Sequence, residues 1–397
     1  MNIGIFVDGY IPIKNGVVTS VVQLKEHLET LGHHVYVFTA SAKDAPTLDH
    51  VYRFPSIPVS KETEVRLAIV NFKKIYNLAK DLHLDVIHTH SEFSLAYHAK
   101  RLAKALNIPL VHTTHTLWEY YQHYAWKGLF FKWIKMQSII RNFLKPYRYL
   151  IYPSKKALTY YGPLTHPEST YRIIPNGIDA NHFISQLLSK DEWVTQRKTY
   201  GFQRDDKIMI FVGRIGPEKR VIELITLLIP YFKIDHALKI IIVGDGSDLE
   251  TLKQLSLEHG LTNQIIFTGF ILWNQVNQYY LISDLFITLS ISEVMPMTMI
   301  EALLSGLAIA CIKDDAYDIM MTHHVNGVTS QVDQEVINQA VGLLLDPEKL
   351  QQLKQASLTL SKQFSSLIHG NKVLEYYQFV IEDYKKLTST QNHKKKY

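Results

Sequence analysis

Ile3-Gly4-Ile5-Phe6-Val7, the loop from Asp8 to Asn15, the run Gly16-Val17-Val18-Thr19-Ser20-Val21-Val22-Gln23-Leu24 continuing to Leu31-Gly32, and Val35-Tyr36-Val37-Phe38-Thr39 together decide the fold. The first and last are strand-length runs rich in β-branched residues. Between them Val18, Val21, Val22, Leu24, Leu28 and Leu31 recur with a helical period, and Gly32 stops the helix. That is one βαβ unit. The same alternation continues outward through strands at Val86 to His88, Leu110 to Thr113 and Tyr149 to Tyr152, with helices in the gaps. A turn at Pro175-Asn176-Gly177 and a polar, Lys- and Gln-rich stretch from Ser185 to Lys207 interrupt it. It then restarts at Ile208 to Val212, Leu238 to Val243, Ile265 to Thr268, Leu285 to Leu289 and Ala308 to Ile312. The pattern predicts an α/β chain of two doubly wound domains facing across a cleft, 1–178 and 179–372, with a C-terminal helix and basic tail, 373–397, that can pack back on the first domain.

The bulk properties agree. A length of 397 residues suits two domains, and 47% hydrophobic with 20% charged residues excludes a disordered, collagenous or coiled-coil chain. Cys311 stands alone, so a disulfide scaffold is excluded and a reducing compartment, the cytosol by default, is expected. Met1-Asn2-Ile3 brings no basic region ahead of its apolar run, unlike a signal peptide. No apolar stretch approaches the roughly 18 to 20 residues that span a bilayer, so membrane contact is expected to be peripheral. A net charge of +5 is too small to imply nucleic acid.

Loops at the C-terminal ends of parallel strands are where such folds bind ligands. After the first strand, Asp8 to Val17 runs into a helix through Gly16, a plain turn or a loop that lets backbone N–H groups approach an anion. It has no Gly-x-Gly-x-x-Gly pattern and no Walker lysine, which disfavours a dinucleotide enzyme or a P-loop ATPase. Phe211 to Lys219 carries Arg214 and Lys219 five residues apart in a Gly/Pro loop; the pair suits a diphosphate or is simply solvated. Gly244-Asp245-Gly246 is weak evidence of anything but a turn. The strongest junction is Ser292-Glu293-Val294-Met295-Pro296-Met297 leading to Glu301. Pro296 fits a first helical position, which leaves Glu293 in the loop and Glu301 inside the helix among apolar neighbours, where an acid needs a partner such as a sugar hydroxyl.

In order and spacing, the Gly16 loop, the Pro175-Asn176-Gly177-Ile178-Asp179 turn, Arg214 with Lys219, and Glu293 with Glu301 at Glu-x7-Glu spacing resemble family 4 of the retaining glycosyltransferases. The resemblance implies the GT-B fold of two Rossmann-like domains. The segments Gly16 to Ser20, His88 to Ser94, His115-Thr116 and Tyr120 to Tyr124 resemble the bacterial diacylglycerol glucosyltransferases within it. It further implies that Arg214 and Lys219 neutralise the pyrophosphate of a UDP-sugar, expected to be UDP-glucose, and that Glu301 holds the ribose. Glu293, with backbone N–H groups of Val294, Met295, Pro296 and Met297 where they exist, would grip the transferred sugar; His115 would lie near that sugar and Gly16 against the phosphates. Backbone around Phe270 would read the uracil. The acceptor implied is a diacylglycerol-type lipid. No cofactor and no metal are expected, since the chain has no Asp-x-Asp motif and the cations replace one. Val294 departs from the Gly common at that position and restricts the turn.

From Tyr120 to Pro167 there is no Asp or Glu. Lys127, Lys132, Lys135, Arg141, Lys145 and further cations interleave with Phe130, Phe131, Trp133 and other apolar residues, the signature of a helix lying on an anionic membrane. An ordinary core helix with a basic face is the alternative. The resemblance and this patch together place the protein at the cytoplasmic face of the cell membrane, with no nucleic acid partner. His88, His90, His112 and His115 could suggest zinc; strand-end histidines in a polar cleft explain them more simply. Two alternatives stay open: a transferase adding a second sugar or glycosylating another surface polymer, and, on the strength of Val294, a silent membrane-bound partner of an active transferase.

Overall fold

A computed structural model of the protein describes residues 1–13, 15–58, 66–120, 136–184 and 189–394. They form two compact units, one of Met1–Gly177 with the segment from Ser366 onward, the other of Ile178–Ser365. The first unit contains β1 (Asn2–Val7), α1 (Gly16–Thr30), β2 (His34–Ala40), β3 (Val51–Phe54), β4 (Ser56–Pro58), β5 (Arg66–Ala68), α2 (Phe72–Asp81), β6 (Val86–Thr89), α3 (Ser94–Leu106), β7 (Leu110–Thr113), α4 (Met136–Leu144), β8 (Tyr149–Tyr152), α5 (Lys155–Tyr161) and β9 (Thr170–Ile173). The second contains α6 (Asn181–Ile184), α7 (Lys190–Thr199), β10 (Lys207–Val212), α8 (Val221–Ile234), β11 (Leu238–Val243), α9 (Leu249–Glu258), β12 (Ile265–Gly269), α10 (Trp273–Leu281), β13 (Leu285–Thr288), α11 (Met297–Leu304), β14 (Ala308–Ile312), β15 (Gly327–Ser330), α12 (Asp333–Leu344) and α13 (Pro347–Ser361). The chain then returns to the first unit as α14 (Ser366–Lys394).

The first sheet runs β3-β2-β1-β6-β7-β8-β9 and the second β12-β11-β10-β13-β14-β15, with parallel pairing throughout. Central strands of such sheets are covered on both faces, which is why Ile208-Met209-Ile210-Phe211 reads as an unbroken apolar run and is buried along its length. The expected strands are all present. Those that the sequence reading did not name, β3, β4, β5, β9 and β15, are edge or outlying strands, half-exposed and without a continuous apolar run.

Two boundaries need correction: the first unit's leading segment ends at Gly177, not 178, so Ile178 belongs to the second unit. The second unit ends at Ser365, not 372, and the last helix begins at Ser366, not 373. Val373, Tyr376, Tyr377 and Val380 of α14 are buried in one cluster with Val18, Val21, Leu24 and Leu28 of α1, so the helix supplies a face of the first unit's core. Gly370 makes that approach possible, because a Cβ there would lie 2.0 Å from Cδ2 of His27. The same helix pins the turn at the boundary. His369 Nδ1 lies 2.7 Å from the Pro175 carbonyl, and Ser20 on α1 donates to Asn176 at 3.2 Å.

Candidate active site

In the second sheet the connections reverse direction between β10 and β13, the place where a doubly wound sheet leaves a crevice at its strand ends. Two loops meet there. From the end of β10 the chain passes through Gly213 to Gly216 into a 3-10 turn at Pro217–Lys219; from the end of β13 it passes through Leu289 to Pro296 into α11. Lys219 Nζ donates to Glu293 Oε1 at 2.5 Å, with Ser292 Oγ 3.4 Å from the same nitrogen. The side chains of Lys219 and Glu293 are 11% and 21% exposed, so the pair is shielded yet reachable. Arg214 is half-buried on the same loop as Lys219. Two motifs read separately in the sequence are thus one cluster.

Residues that the sequence reading did not single out hold this cluster. Arg220, at φ 56°, caps the turn; it pairs with Asp333 of α12 and donates to the Leu289 carbonyl at 3.2 Å, tying the two loops together. Tyr317 donates to the Ser290 carbonyl at 2.5 Å, and Ser290 Oγ lies 3.4 Å from Glu293 Oε1. No local signal marks these residues, because their partners lie tens of residues away. Gly244 has a stronger role than its turn-like sequence suggested. A Cβ there would lie 1.8 Å from the Gly213 carbonyl oxygen, so the loop bearing Arg214 rests directly on the end of β11.

Glu301 lies inside α11 and is 4% exposed. Trp273 Nε1 donates to its Oε1 at 3.0 Å and the Tyr280 hydroxyl to its Oε2 at 2.9 Å. Burial pushes its pKa up to about 7, against those two hydrogen bonds. Pro296 is the extended residue before α11, one position earlier than expected, and the helix starts at Met297. Met295 and Met297 are buried in the second unit's core, so what they could offer a ligand is backbone. Val294 is 5% exposed and keeps a negative φ; the turn accommodates its branched side chain without left-handed backbone. Phe270, at the end of β12, is 56% exposed.

In the first unit, Gly16 opens α1 behind Asn15, whose side chain accepts from Val18 N–H at 3.0 Å. The first sheet has its own reversal between β1 and β6. Asp8, just past β1, accepts from Ser91 at 2.6 Å and from Leu95 N–H at 3.2 Å, and burial raises its pKa to about 6. His115 Nε2 lies 3.0 Å from His90 Nδ1, and His90 Nε2 lies 3.2 Å from His88 Nδ1. Burial first, then neighbouring imidazoles, pushes His115 down to about 3 and holds His88 and His90 well below the ordinary value. The set is neutral at pH 7.

Of the basic, aromatic segment, Lys127, Phe130, Phe131, Lys132, Trp133 and Lys135 lie outside the described residues. Arg141 and Lys145, on and just after α4, are exposed. The apolar side of α4 faces inward: Ile140 and Leu144 are buried, and Lys100 Nζ donates to the Phe143 carbonyl at 2.6 Å, which leaves Ile139 as the exposed large apolar residue of that helix. At this end of the segment the apolar residues Ile140 and Leu144 pack inward while Arg141 and Lys145 stay exposed.

Residues 14–182 match the family model described as Glycosyltransferase Family 4, and residues 194–358 the model described as Glycosyl transferases group 1. The alpha-monoglucosyldiacylglycerol synthase of Acholeplasma laidlawii is 31% identical over 391 residues, covering 96% of this chain and 98% of that protein. The chain belongs to glycosyltransferase family 4. This family 4 glycosyltransferase is also 33% identical over 311 residues to the alpha-monoglucosyldiacylglycerol synthase of Streptococcus pneumoniae, covering 77% of this chain and 70% of that one. Among solved structures, Anabaena HepE in complex with UDP-glucose shares its fold at TM-score 0.74 and 19% identity, with 94% of this chain and 98% of that chain covered. WaaG, a glycosyltransferase of lipopolysaccharide biosynthesis, does so at TM-score 0.69 and 15% identity, with 93% and 98% covered. The fold is GT-B.

Proposed function

We propose that this glycosyltransferase moves glucose, with retention, from UDP-glucose to a diacylglycerol-type lipid in glycolipid synthesis. The observation that carries the proposal is the kinship along 98% of the Acholeplasma synthase, combined with the Lys219–Glu293 pair at the second sheet's switch point. Leaving UDP gains negative charge as the anomeric carbon becomes oxocarbenium-like. Arg214 and Lys219 are the cations that stabilise it, both on the loop that follows β10. Glu293 then has two partners to serve, Lys219 and the hydroxyls of the sugar. Glu301 holds the ribose with Trp273 and Tyr280 fixing its carboxyl; the family resemblance assigns Gly16 to the phosphates and His115 to the sugar. No metal bridges donor and protein. The donor phosphate takes the acceptor's proton in front-face attack.

The protein works as a peripheral protein at the cytoplasmic face of the membrane. Among the described residues no helix is long and apolar enough to cross a bilayer, and the exposed Arg141 and Lys145 belong to the basic surface that meets anionic lipid. Val294 is the one feature that favours a silent partner, and turnover decides it. UDP release by the purified protein with liposomes containing diacylglycerol, offered each of several UDP-sugars with and without EDTA, tests the proposal. Turnover with UDP-glucose that survives EDTA is expected. Turnover only on a pre-formed glycolipid would instead favour second-sugar addition, and no turnover with any donor, with unchanged thermal stability in UDP, would support the silent reading.

A further inference from the structure

We propose that Tyr377, on the C-terminal helix, is a positioning residue for sugar transfer: it sets the direction of a hydrogen-bonded chain through His88 and His90 that leaves His115 protonated on Nε2 and presenting Nδ1 as an acceptor. The proposal rests on the reading above, in which His115 meets the sugar. The chain is continuous. The Tyr377 hydroxyl lies 2.6 Å from His88 Nδ1; His88 Nε2 lies 2.7 Å from Thr113 Oγ1; His90 bridges at 3.2 Å to His88 Nδ1 and at 3.0 Å to His115 Nε2. His88 and Tyr377 are fully buried and His90 is 3% exposed, so no water competes for the central links.

A neutral imidazole carries one N–H and one lone pair, so whichever role one nitrogen takes, the other takes the opposite. Two directions are open to such a chain. Thr113 does not choose between them, since a hydroxyl can donate or accept. Tyr377 does: burial holds its phenol protonated, and His88 Nδ1 is its one hydrogen-bond partner among the described residues, so its proton points there. His88 Nδ1 is then the lone-pair side and Nε2–H donates to Thr113. His90 avoids setting its own lone pair against that of His88 only by carrying its proton on Nε2, shared into the same acceptor. His90 Nδ1 becomes an acceptor, His115 Nε2–H donates to it, and His115 Nδ1 is left with the lone pair. That is the form able to accept a hydrogen bond from a sugar hydroxyl.

The test uses the full-length protein labelled with 15N-histidine, in wild type, Tyr377→Phe, His115→Gln and Tyr376→Phe. Ring 15N shifts, with His115 assigned from the signals lost in His115→Gln, should show the Nε2–H form in the wild type. Tyr377→Phe keeps the ring and removes the direction-setting proton. His115 should then become a mixture of the two forms, and kcat should fall about 10-fold, the scale of lost orienting partners, with KM for UDP-glucose within about twofold. Tyr376→Phe removes a neighbouring anchor of the same helix, the hydroxyl 2.8 Å from the Thr170 carbonyl, without touching the histidines; it should lower stability and leave the His115 spectrum and kcat unchanged. A wild-type His115 protonated on Nδ1 overturns the proposal even if Tyr377→Phe fails to fold. So does a Tyr377→Phe protein with unchanged spectrum and kcat while His115→Gln is inactive, an outcome that spares the role of His115. Full turnover by His115→Gln removes that role itself, and the positioning claim with it.

Discussion

The two sheets share one strand order, β3-β2-β1-β6-β7-β8 against β12-β11-β10-β13-β14-β15, yet their switch points differ in electrical character. In the first unit the groups at the strand ends are Asp8, His88, His90 and His115, the imidazoles uncharged and the carboxyl drawn toward neutrality. In the second they are Lys219 and Glu293 in direct contact, with Arg214 on the same loop. Topology decides where a ligand can sit; the loops decide what it is. An assembly of neutral donors and acceptors suits hydroxyl groups, and fixed cations suit a diphosphate leaving group.

Removing charge from the second unit is the hardest way to break that contrast. Lys219→Ala should lower kcat/KM for UDP-glucose by about 10²- to 10³-fold, as for loss of one preorganised donor, and should weaken UDP binding in calorimetry. Full activity in this variant would show that the cation site is not where the leaving group is held. Gly244→Ala should come next. Its Cβ would meet the Gly213 carbonyl at 1.8 Å, so the loop carrying Arg214 must shift. A stability loss of about 1 to 3 kcal/mol is expected, with roughly 10-fold weaker UDP binding; unaltered UDP affinity would mean that the loop's position does not matter.

Acid should separate the units. The folded pKa of His369 is about 4 and that of His115 about 3, both depressed by burial, so their contribution to stability is whole above about 6.5 and is lost as pH falls from there toward the folded values. For His369 alone the loss is about 2 kcal/mol by pH 5. His88 and His90 act in the same sense, and Asp8, raised to about 6, opposes them in part. Glu301 in the second unit is raised to about 7, so its contribution is present at low pH and lost as pH rises through that value. Scanning calorimetry at pH 7 and pH 5, with UDP added to mark the second unit's transition, should show the first unit falling and the second rising or holding. Parallel shifts would contradict the contrast. The smallest effect is expected from Gly370→Ala, which crowds the His27 ring where α14 crosses α1: about 1 kcal/mol, confined to the first unit, with UDP affinity unchanged.

Much of this was legible beforehand. The parallel strands were readable because strands covered on both faces must be apolar at every position, and the helices because one face must be. Lys219, Glu293 and Glu301 stood out as charges set in Gly, Pro or apolar surroundings, and the spacing from Pro296 placed one acid in a loop and the other in a helix. Arg220, Asp333, Tyr317 and Tyr377 did not stand out. Each is an ordinary residue in its own segment and acquires meaning from a partner far along the chain: Asp333 lies 113 residues from Arg220, and Tyr377 lies 289 from His88. The inward-facing apolar side of α4 was not legible in sequence either, since exposure to lipid and burial in a core select the same residue types.

Sequence alone determined what depends on local spacing and composition: the alternation of strand and helix, two units, their candidate loops, and the kinds of charge those loops bring. Tertiary structure alone decided the pairings, because a hydrogen bond reaches only about 3 Å and says nothing about separation along the chain. It sent the last helix back to the first unit, laid Gly244 under the cation loop, joined Lys219 to Glu293, and strung three histidines from Tyr377 to His115.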